Sequence, residues 1–340
     1  MRKLYAGIDL HSNNIYLVVI DEEDNRLVQI KLKNDMNLIL KILSPYKEEL
    51  RGVVIESIFN WYWLVDGLME KGYRVHLANP AAIQQYKGLK HAADKHSAFW
   101  LAHLLRLNLL PEGYIYPKEI RAVRDLLRKR MQLVQIRTAN ILSIQNLFSR
   151  NTGSKINTRE IQKMARKNGE QFHSNPDLSM AIQSNLAVVA ALDEQIKLLE
   201  KTVLQRVELH PEFQKLLSID GIGKILALTI MLETGDIKRF ANVGNFASYC
   251  RCVPSWRFSN GKKIGVGNSR NGNKYLAWAF VEAANFCKRY NEQAKRFYQK
   301  KKQKTKGVIA IKALAHKLAR AAFYVMRDQT SFDESKLFAY

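Results

Sequence analysis

The sequence predicts an α/β domain with a mixed sheet, then a basic helical and coiled-coil spacer, then a mostly helical C-terminal domain. Three observations carry this. A three-strand meander and two further strands separated by a helix come before residue 80. Two long helices with apolar residues at three- and four-residue spacing lie between residues 117 and 207. Shorter helices punctuated by glycine fill the remainder. The divisions fall at 1–115, 116–210 and 211–340, and 340 residues suffice for two or three domains.

Lys3 to Leu10 alternates Leu4, Ala6 and Ile8 with Tyr5 and Gly7 and carries Asp9 at its end. Asn14 to Ile20 follows at hairpin distance, and Arg26 to Lys33 lies beyond the turn at 21–25. Met36 to Leu43 reads as an amphipathic helix ending before Pro45. Arg51 to Ser57 is a short buried strand with Glu56 at its end. A helix through Leu64, Leu68 and Met69 stops at Gly72, and Tyr73 to Ala78 is the next strand, closed by Asn79-Pro80. The following helix runs from about Ala93 to Leu107, with Asp94 and Ser97 three residues apart on one face. Two strand-end carboxylates plus one on a packing helix compose a candidate Mg²⁺ site, because hard oxygen ligands suit phosphodiester chemistry. The plainer alternatives are a surface Asp9 ending a strand and an Asp94 favoured by a helix N-terminus.

The net charge of +23 favours a polyanionic partner, since neutralising phosphates releases counterions. A ribosomal or membrane-surface role gives the same total. Its distribution is one-sided: residues 117–175 carry a net charge of about +9. There a long helix shows Ile120, Val123, Leu127, Met131, Val134, Ile141 and Phe148 on one face. Arg121, Arg124, Arg128, Lys129, Arg130 and Arg137 flank it, as a nucleic-acid surface or as a solvated helix face. Residues Asn151 to Pro176 read as a loop or short-helix region. Val189, Leu192, Ile196, Leu199 and Val203 mark a seam on a helix from about Leu178 to Val207, in a coiled coil or a bundle. Three cysteines, Cys250, Cys252 and Cys287, match no zinc spacing and read as reduced thiols. No apolar run approaches a membrane span and no signal peptide precedes the first strand, so a cytosolic protein is expected.

From Phe213 a helix, a turn at Asp220-Gly221-Ile222-Gly223-Lys224 and an apolar helix from Ile225 to Leu232 form a helix-hairpin-helix pattern. Its turn holds a phosphate on backbone N–H groups, or is a plain connector. Phe240 to Tyr249 reads as a helix. Arg251 to Lys274, dense in Gly, Asn, Ser and Lys, reads as a loop that Trp256, Phe258 and Ile264 keep from being a disordered linker. Between Arg251 and Lys306 about fifteen Lys and Arg face two acids, including Lys262, Lys263, Arg270, Lys301, Lys302 and Lys304. Lys300 to Lys306 reads as a flexible basic tract that grips phosphate. Helices from Lys274 to Arg289 and Val308 to Met326 complete the domain.

With Gly7-Ile8-Asp9, Ile55-Glu56-Ser57, Asn79-Pro80, Asp94, the Ile219–Lys224 turn, Phe240 to Pro254, Ser259, and Arg270-Asn271-Gly272-Asn273 with Leu276 in view, the chain resembles the DEDD transposases of the insertion sequence 110 family. The resemblance covers nearly the whole chain. It implies an N-terminal RuvC-type, ribonuclease-H-like domain and a C-terminal transposase domain with a nucleophilic serine. It also implies Mg²⁺ on Asp9, Glu56 and Asp94, and Ser259 as the residue that attacks the phosphodiester. Its expected partners are donor and target DNA and a structured non-coding bridge RNA, in the cytoplasm and nucleoid of a bacterium. The family's composite site, with carboxylates from one protomer and serine from another, implies a homodimer or tetramer. Without the resemblance, Ser259 is a turn residue. One position departs from the pattern. The fourth acid, three residues after the third, is here Ser97. A hydroxyl is a poor substitute for a carboxylate at Mg²⁺, so a catalytically silent nucleic-acid-binding derivative is the first alternative. A metal-only junction nuclease with a structural Ser259 is the second.

Overall fold

A computed structural model describes residues 2–83, 94–166, 174–207, 210–266 and 271–338, with the side chains of 94, 95, 257 and 258 outside the description. The chain falls into two compact units, Met1–Lys118 and Glu119–Tyr340.

The first unit is built on five strands, β1 (Leu4–Leu10), β2 (Asn14–Ile20), β3 (Arg26–Lys33), β4 (Leu50–Glu56) and β5 (Val75–Ala78). Their order is β3-β2-β1-β4-β5, antiparallel from β3 to β1 and parallel from β1 to β5, so the sheet is mixed and β1 is central. Helices α1 (Met36–Leu43) and α2 (Tyr62–Glu70) cover one face, and α3 (Asp94–Arg106) covers the other. Strand alternation sorts the side chains between these faces. Leu4, Ala6, Ile8 and Leu10 of β1, with Val53 and Ile55 of β4, join the core under α1 and α2. Gly7 of β1 and Val54 of β4 meet α3 instead. Asp9 and Glu56, each two residues further on, inherit the α3 face.

Gly7 sets how close α3 comes. A Cβ there would run into the carbonyl oxygen of Ala98, and it would lie 2.8 Å from the amide nitrogen of Ala102. At its other end α3 is anchored by Arg106 and His103, which both bond the carboxylate of Asp24 in the β2–β3 turn. That turn lies at the sheet edge where β1 begins, because Tyr5 pairs with Ile20. The N-terminus of α3 therefore comes to the edge where β1 ends, at Asp9.

In the second unit α4 (Lys118–Thr152) and α6 (Pro176–Val207) run antiparallel, capped at the far end by α5 (Thr158–Met164). Val189, Ile196 and Val203 are buried at seven-residue spacing, so the coiled-coil seam is used within the chain. Ion pairs Arg130–Glu200 (2.6 Å) and Arg137–Asp193 brace its flank. At the near end Val123 and Leu127 of α4 and Val203 and Val207 of α6 enter the main core. That core surrounds α8 (Lys224–Thr234), whose residues from Leu226 to Thr234 are all buried. Around it pack α7 (Pro211–Leu216), α9 (Val243–Tyr249), α10 (Lys274–Tyr290), α11 (Glu292–Lys304), α12 (Gly307–Asp328) and α13 (Glu334–Phe338).

Two sequence expectations change. The stretch from Arg251 to Lys274 contains a β-hairpin, β6 (Trp256–Ser259) and β7 (Lys262–Val266), joined by Asn260-Gly261. Both turn residues have positive φ, 45° and 71°, as a type I′ turn requires. The basic tract at Lys300–Lys306 is not a flexible segment: Lys300 to Lys304 are the last turns of α11, Thr305 caps that helix, and Lys306 is the N-cap of α12. No helix among the described residues is long and apolar enough to cross a membrane.

Candidate functional site

Asp9 and Glu56 stand one residue beyond Ile8 and Ile55, the last paired positions of the parallel β1–β4 ladder. Adjacent parallel strands place their successive residues side by side, so two carboxylates meet at one sheet edge. Asp9 is only 5% exposed. Burial, then the negative charge of Asp9 and a hydrogen bond to its carboxylate, push the Glu56 carboxyl up to about 7. His11 Nε2 lies 3.7 Å from Asp9 Oδ2, a neighbour the sequence reading passed over although it is two residues from Asp9. The backbone around it is pinned, since Asn34 and Asn60 both donate to the His11 carbonyl at 3.0 Å.

Two crowded carboxylates suit a hard divalent cation, whose charge removes the repulsion that holds a proton on Glu56. The donor set fits such an ion in its chemistry. Among the described residues no group of three or more His, Cys, Asp or Glu gathers. The Asp94 side chain is outside the description. Its backbone opens α3, the helix whose N-terminus comes to the same edge, and Ser97 follows within the first turn, partly exposed.

Ser259 is exposed at the end of β6 and pairs with Lys262 across the two-residue turn. Lys262 and Lys263 are exposed on β7, and Lys263 Nζ lies over the Trp256 ring at 3.1 Å from its centroid. The excursion that carries the hairpin is clasped where it starts and ends. Asn273 N–H donates to the Tyr249 carbonyl (2.6 Å), and Arg251 donates to the carbonyls of Asn271 and Gly272 (3.0 and 2.9 Å). Gly272, at φ 87°, leaves no room for a Cβ against Tyr249 O. Arg270 lies outside the described residues.

Asn273 is also the N-cap of α10 and donates to Glu233 Oε2 at 2.7 Å. Glu233 is 1% exposed. Burial alone would push its carboxyl up, but Arg128 and Arg124 outweigh it and hold the group below the usual range. Arg124 Nε donates at 3.0 Å and Arg128 Nη2 at 2.8 Å. This corrects part of the expected nucleic-acid surface: Arg121 and Arg124 are buried, and Arg124 and Arg128 spend their charge on Glu233. Arg130 is paired with Glu200. Lys129 remains exposed.

The Gly-x-Gly turn divides in the same way. A Cβ on Gly221 would strike the α10 backbone at Ala283 and Cys287, so this residue packs. Gly223 and Lys224 are exposed, and Gly223 opens α8 with no side-chain cap. Lys301, Lys302 and Lys304 are exposed along α11. All three cysteines are buried as free thiols, and burial pushes Cys252 and Cys287 up to about 12, which removes them as nucleophiles.

Two family models match the chain. One, of the DEDD transposase domain of IS110, covers residues 6–150. The other, described as "Transposase IS116/IS110/IS902 family", covers residues 213–299. A Pseudomonas aeruginosa protein named "Probable family 20 transposase" is 26% identical over 340 residues, spanning 96% of this chain and 97% of its own. The transposase for insertion sequence element IS1328 of Yersinia enterocolitica is 30% identical over 148 residues, 42% of this chain and 44% of its own. The transposase for IS1111A of Coxiella burnetii is 25% identical over 167 residues, 48% and 45% of the two chains. The chain thus spans one relative almost whole and less than half of the two others. With its mixed-sheet unit and its helical unit each matched by a domain of the same family, the chain belongs to the IS110 family of transposases.

Proposed function

We propose that this transposase cuts and rejoins DNA for insertion-sequence mobility with Ser259 as nucleophile and a Mg²⁺ ion on Asp9, Glu56 and Asp94. In this reading residues 1–115 hold the metal, 116–210 bind nucleic acid and 211–340 present the serine. Donor and target DNA are selected by a structured bridge RNA, and the working form is a homodimer or tetramer. The observation that carries the reading is the carboxylate pair: Asp9 and Glu56 meet at a sheet edge with Glu56 pushed up to about 7.

Bound Mg²⁺ would polarise a phosphoryl oxygen and neutralise charge that develops on it. The chain's own groups do the rest. Ser259 Oγ forms a bond to phosphorus while the bond to the departing strand's oxygen breaks. The serine proton is lost, and the departing oxygen gains one. Phosphoserine conserves the phosphodiester, so rejoining is the reverse attack by a strand hydroxyl. Lys262 and Lys263, exposed beside Ser259 on the same hairpin, supply positive charge where the pentacoordinate phosphate forms. Gly223, Lys224, Lys129 and the α11 lysines Lys301, Lys302 and Lys304 contact phosphates.

Ser97 favours a second reading, a derivative that binds nucleic acid without cutting it. Covalent capture separates the two. The chain as given, Ser97→Asp and Ser259→Ala are incubated with donor and target DNA, guide RNA and Mg²⁺, and protein–DNA adducts are resolved. An adduct in the given chain that vanishes in Ser259→Ala is the expected result. An adduct confined to Ser97→Asp makes the given chain a binder. Cleavage that survives Ser259→Ala without any adduct overturns the serine mechanism in favour of metal-only cleavage.

A further inference from the structure

We propose that a groove between α4 and α10 binds unpaired nucleotides of a single-stranded nucleic acid, stacking bases on Tyr275 and Trp278. The proposal rests on the nucleic-acid partner in the reading above but not on its serine chemistry.

The groove has a volume of about 530 Å³. Arg128, Lys129 and Gln132 line it from α4, and Lys274, Tyr275 and Trp278 from α10. Tyr275 and Trp278 are three residues apart on one helix, so their rings lie on the same side. Both are partly buried, with Trp278 packed against the core, which fixes the rings as a floor and not as mobile surface groups. Arg128 Cζ sits 4.5 Å from the Tyr275 ring centroid and Lys274 Nζ 5.2 Å from it. Glu233 holds the Arg128 guanidinium from below, so the ring is set in place before any ligand arrives.

The rim is different in character. Lys129 and Lys274 are exposed, and among the described residues neither is ion-paired, unlike Arg130 and Arg137 further along α4. Lys129 instead donates to the side-chain oxygen of Gln132 at 3.1 Å. One carboxylate, Asp125, shares the lining. Aromatic floor, cationic rim and an amide able to reach a base edge are the three elements of single-strand recognition. A duplex offers phosphates and groove edges but hides its base faces, so it cannot use the floor. The same chemistry fits looped RNA and displaced DNA.

The test uses the full chain and labelled oligo-dT, oligo-U and a blunt DNA duplex of equal length at fixed salt, since phosphate contacts make every affinity salt-dependent. Tyr275→Leu with Trp278→Leu removes the floor, Tyr275→Trp keeps it, and Lys301→Gln with Lys302→Gln removes charge elsewhere. Thermal unfolding monitors the fold. Loss of one stacked base costs roughly tenfold. The double Leu variant is expected to bind single strands at least tenfold more weakly with duplex affinity unchanged, Tyr275→Trp to bind like the parent, and the lysine variant to weaken both ligands alike. Should the double variant fail to fold, Lys129→Glu with Lys274→Glu alters only exposed groups and must weaken single strands more than duplex. The ratio of oligo-U to oligo-dT affinity identifies the natural source. Single-strand affinity that is unchanged, or that falls in parallel with duplex affinity, overturns the proposal. Adduct formation at Ser259 on a preassembled substrate is a separate readout, so failure here leaves that mechanism standing.

Discussion

Glu56 and Glu233 are both glutamates largely withdrawn from water, and their surroundings treat them in opposite ways. Glu56 faces a second carboxylate, Asp9, and is pushed up to about 7. Glu233 faces Arg124, Arg128 and Asn273 and is held below the ordinary range despite deeper burial. A buried charge that is fully partnered is part of the framework. Two carboxylates crowded together at a strand edge repel one another, and that arrangement makes sense where a cation is to be bound. The contrast separates structure from site.

The largest effect is expected from removing Glu233. Glu233→Gln leaves two arginines short of their counter-charge, one of them buried, and should destabilise the protein by about 3–5 kcal/mol, read from chemical denaturation. Glu56→Gln removes repulsion, so without metal its stability should match or exceed that of the parent. Strand cleavage should nevertheless fall by a factor of at least about a hundred. If both substitutions cost stability equally, the contrast is broken.

Gly7→Ala comes next. The new Cβ collides with Ala98 and pushes α3 off β1, at about 1–3 kcal/mol, and should weaken cation binding because the N-terminus of α3 moves with it. The pH dependence sharpens the comparison in sign. Glu56 binds its proton more tightly folded than unfolded, so metal-free stability should fall as pH rises from about 4.5 to about 7. Glu233 binds its proton less tightly folded, so its stabilisation is present above the ordinary glutamate range and is lost as pH falls below it. Denaturation curves across pH should lose the first slope in Glu56→Gln and the second in Glu233→Gln. The smallest change is Ser97→Asp, which restores a fourth acid and should raise divalent-cation affinity several-fold by calorimetry.

Much of the first unit was legible because alternation and turn chemistry act locally. The bounds of β2, β3 and α1 coincide with those read from sequence, and β1 differs by one residue. Asp9 and Glu56 were legible as strand ends, and the parallel register of β1 with β4 makes them neighbours. The hairpin at Trp256–Val266 was missed although Asn260-Gly261 is a strong hairpin signal, because the surrounding Gly, Asn and Ser mask the alternation. Arg121 and Arg124 looked like surface because charge on a helix does not reveal its partner. Glu233 is 109 residues from Arg124 in sequence. The groove of Tyr275 and Trp278 depends likewise on which face of α10 meets α4, a tertiary fact that local pattern does not contain.

The most direct measurement is divalent-cation binding to the metal-free protein by titration calorimetry, with Mg²⁺ and Mn²⁺, on the parent, Asp9→Asn, Glu56→Gln and Glu233→Asp. Saturable binding in the parent and in Glu233→Asp, abolished by either change at the strand ends, is the expected result. Binding that is absent from the folded parent, or indifferent to Asp9 and Glu56, would contradict the assignment of this carboxylate pair as the metal site.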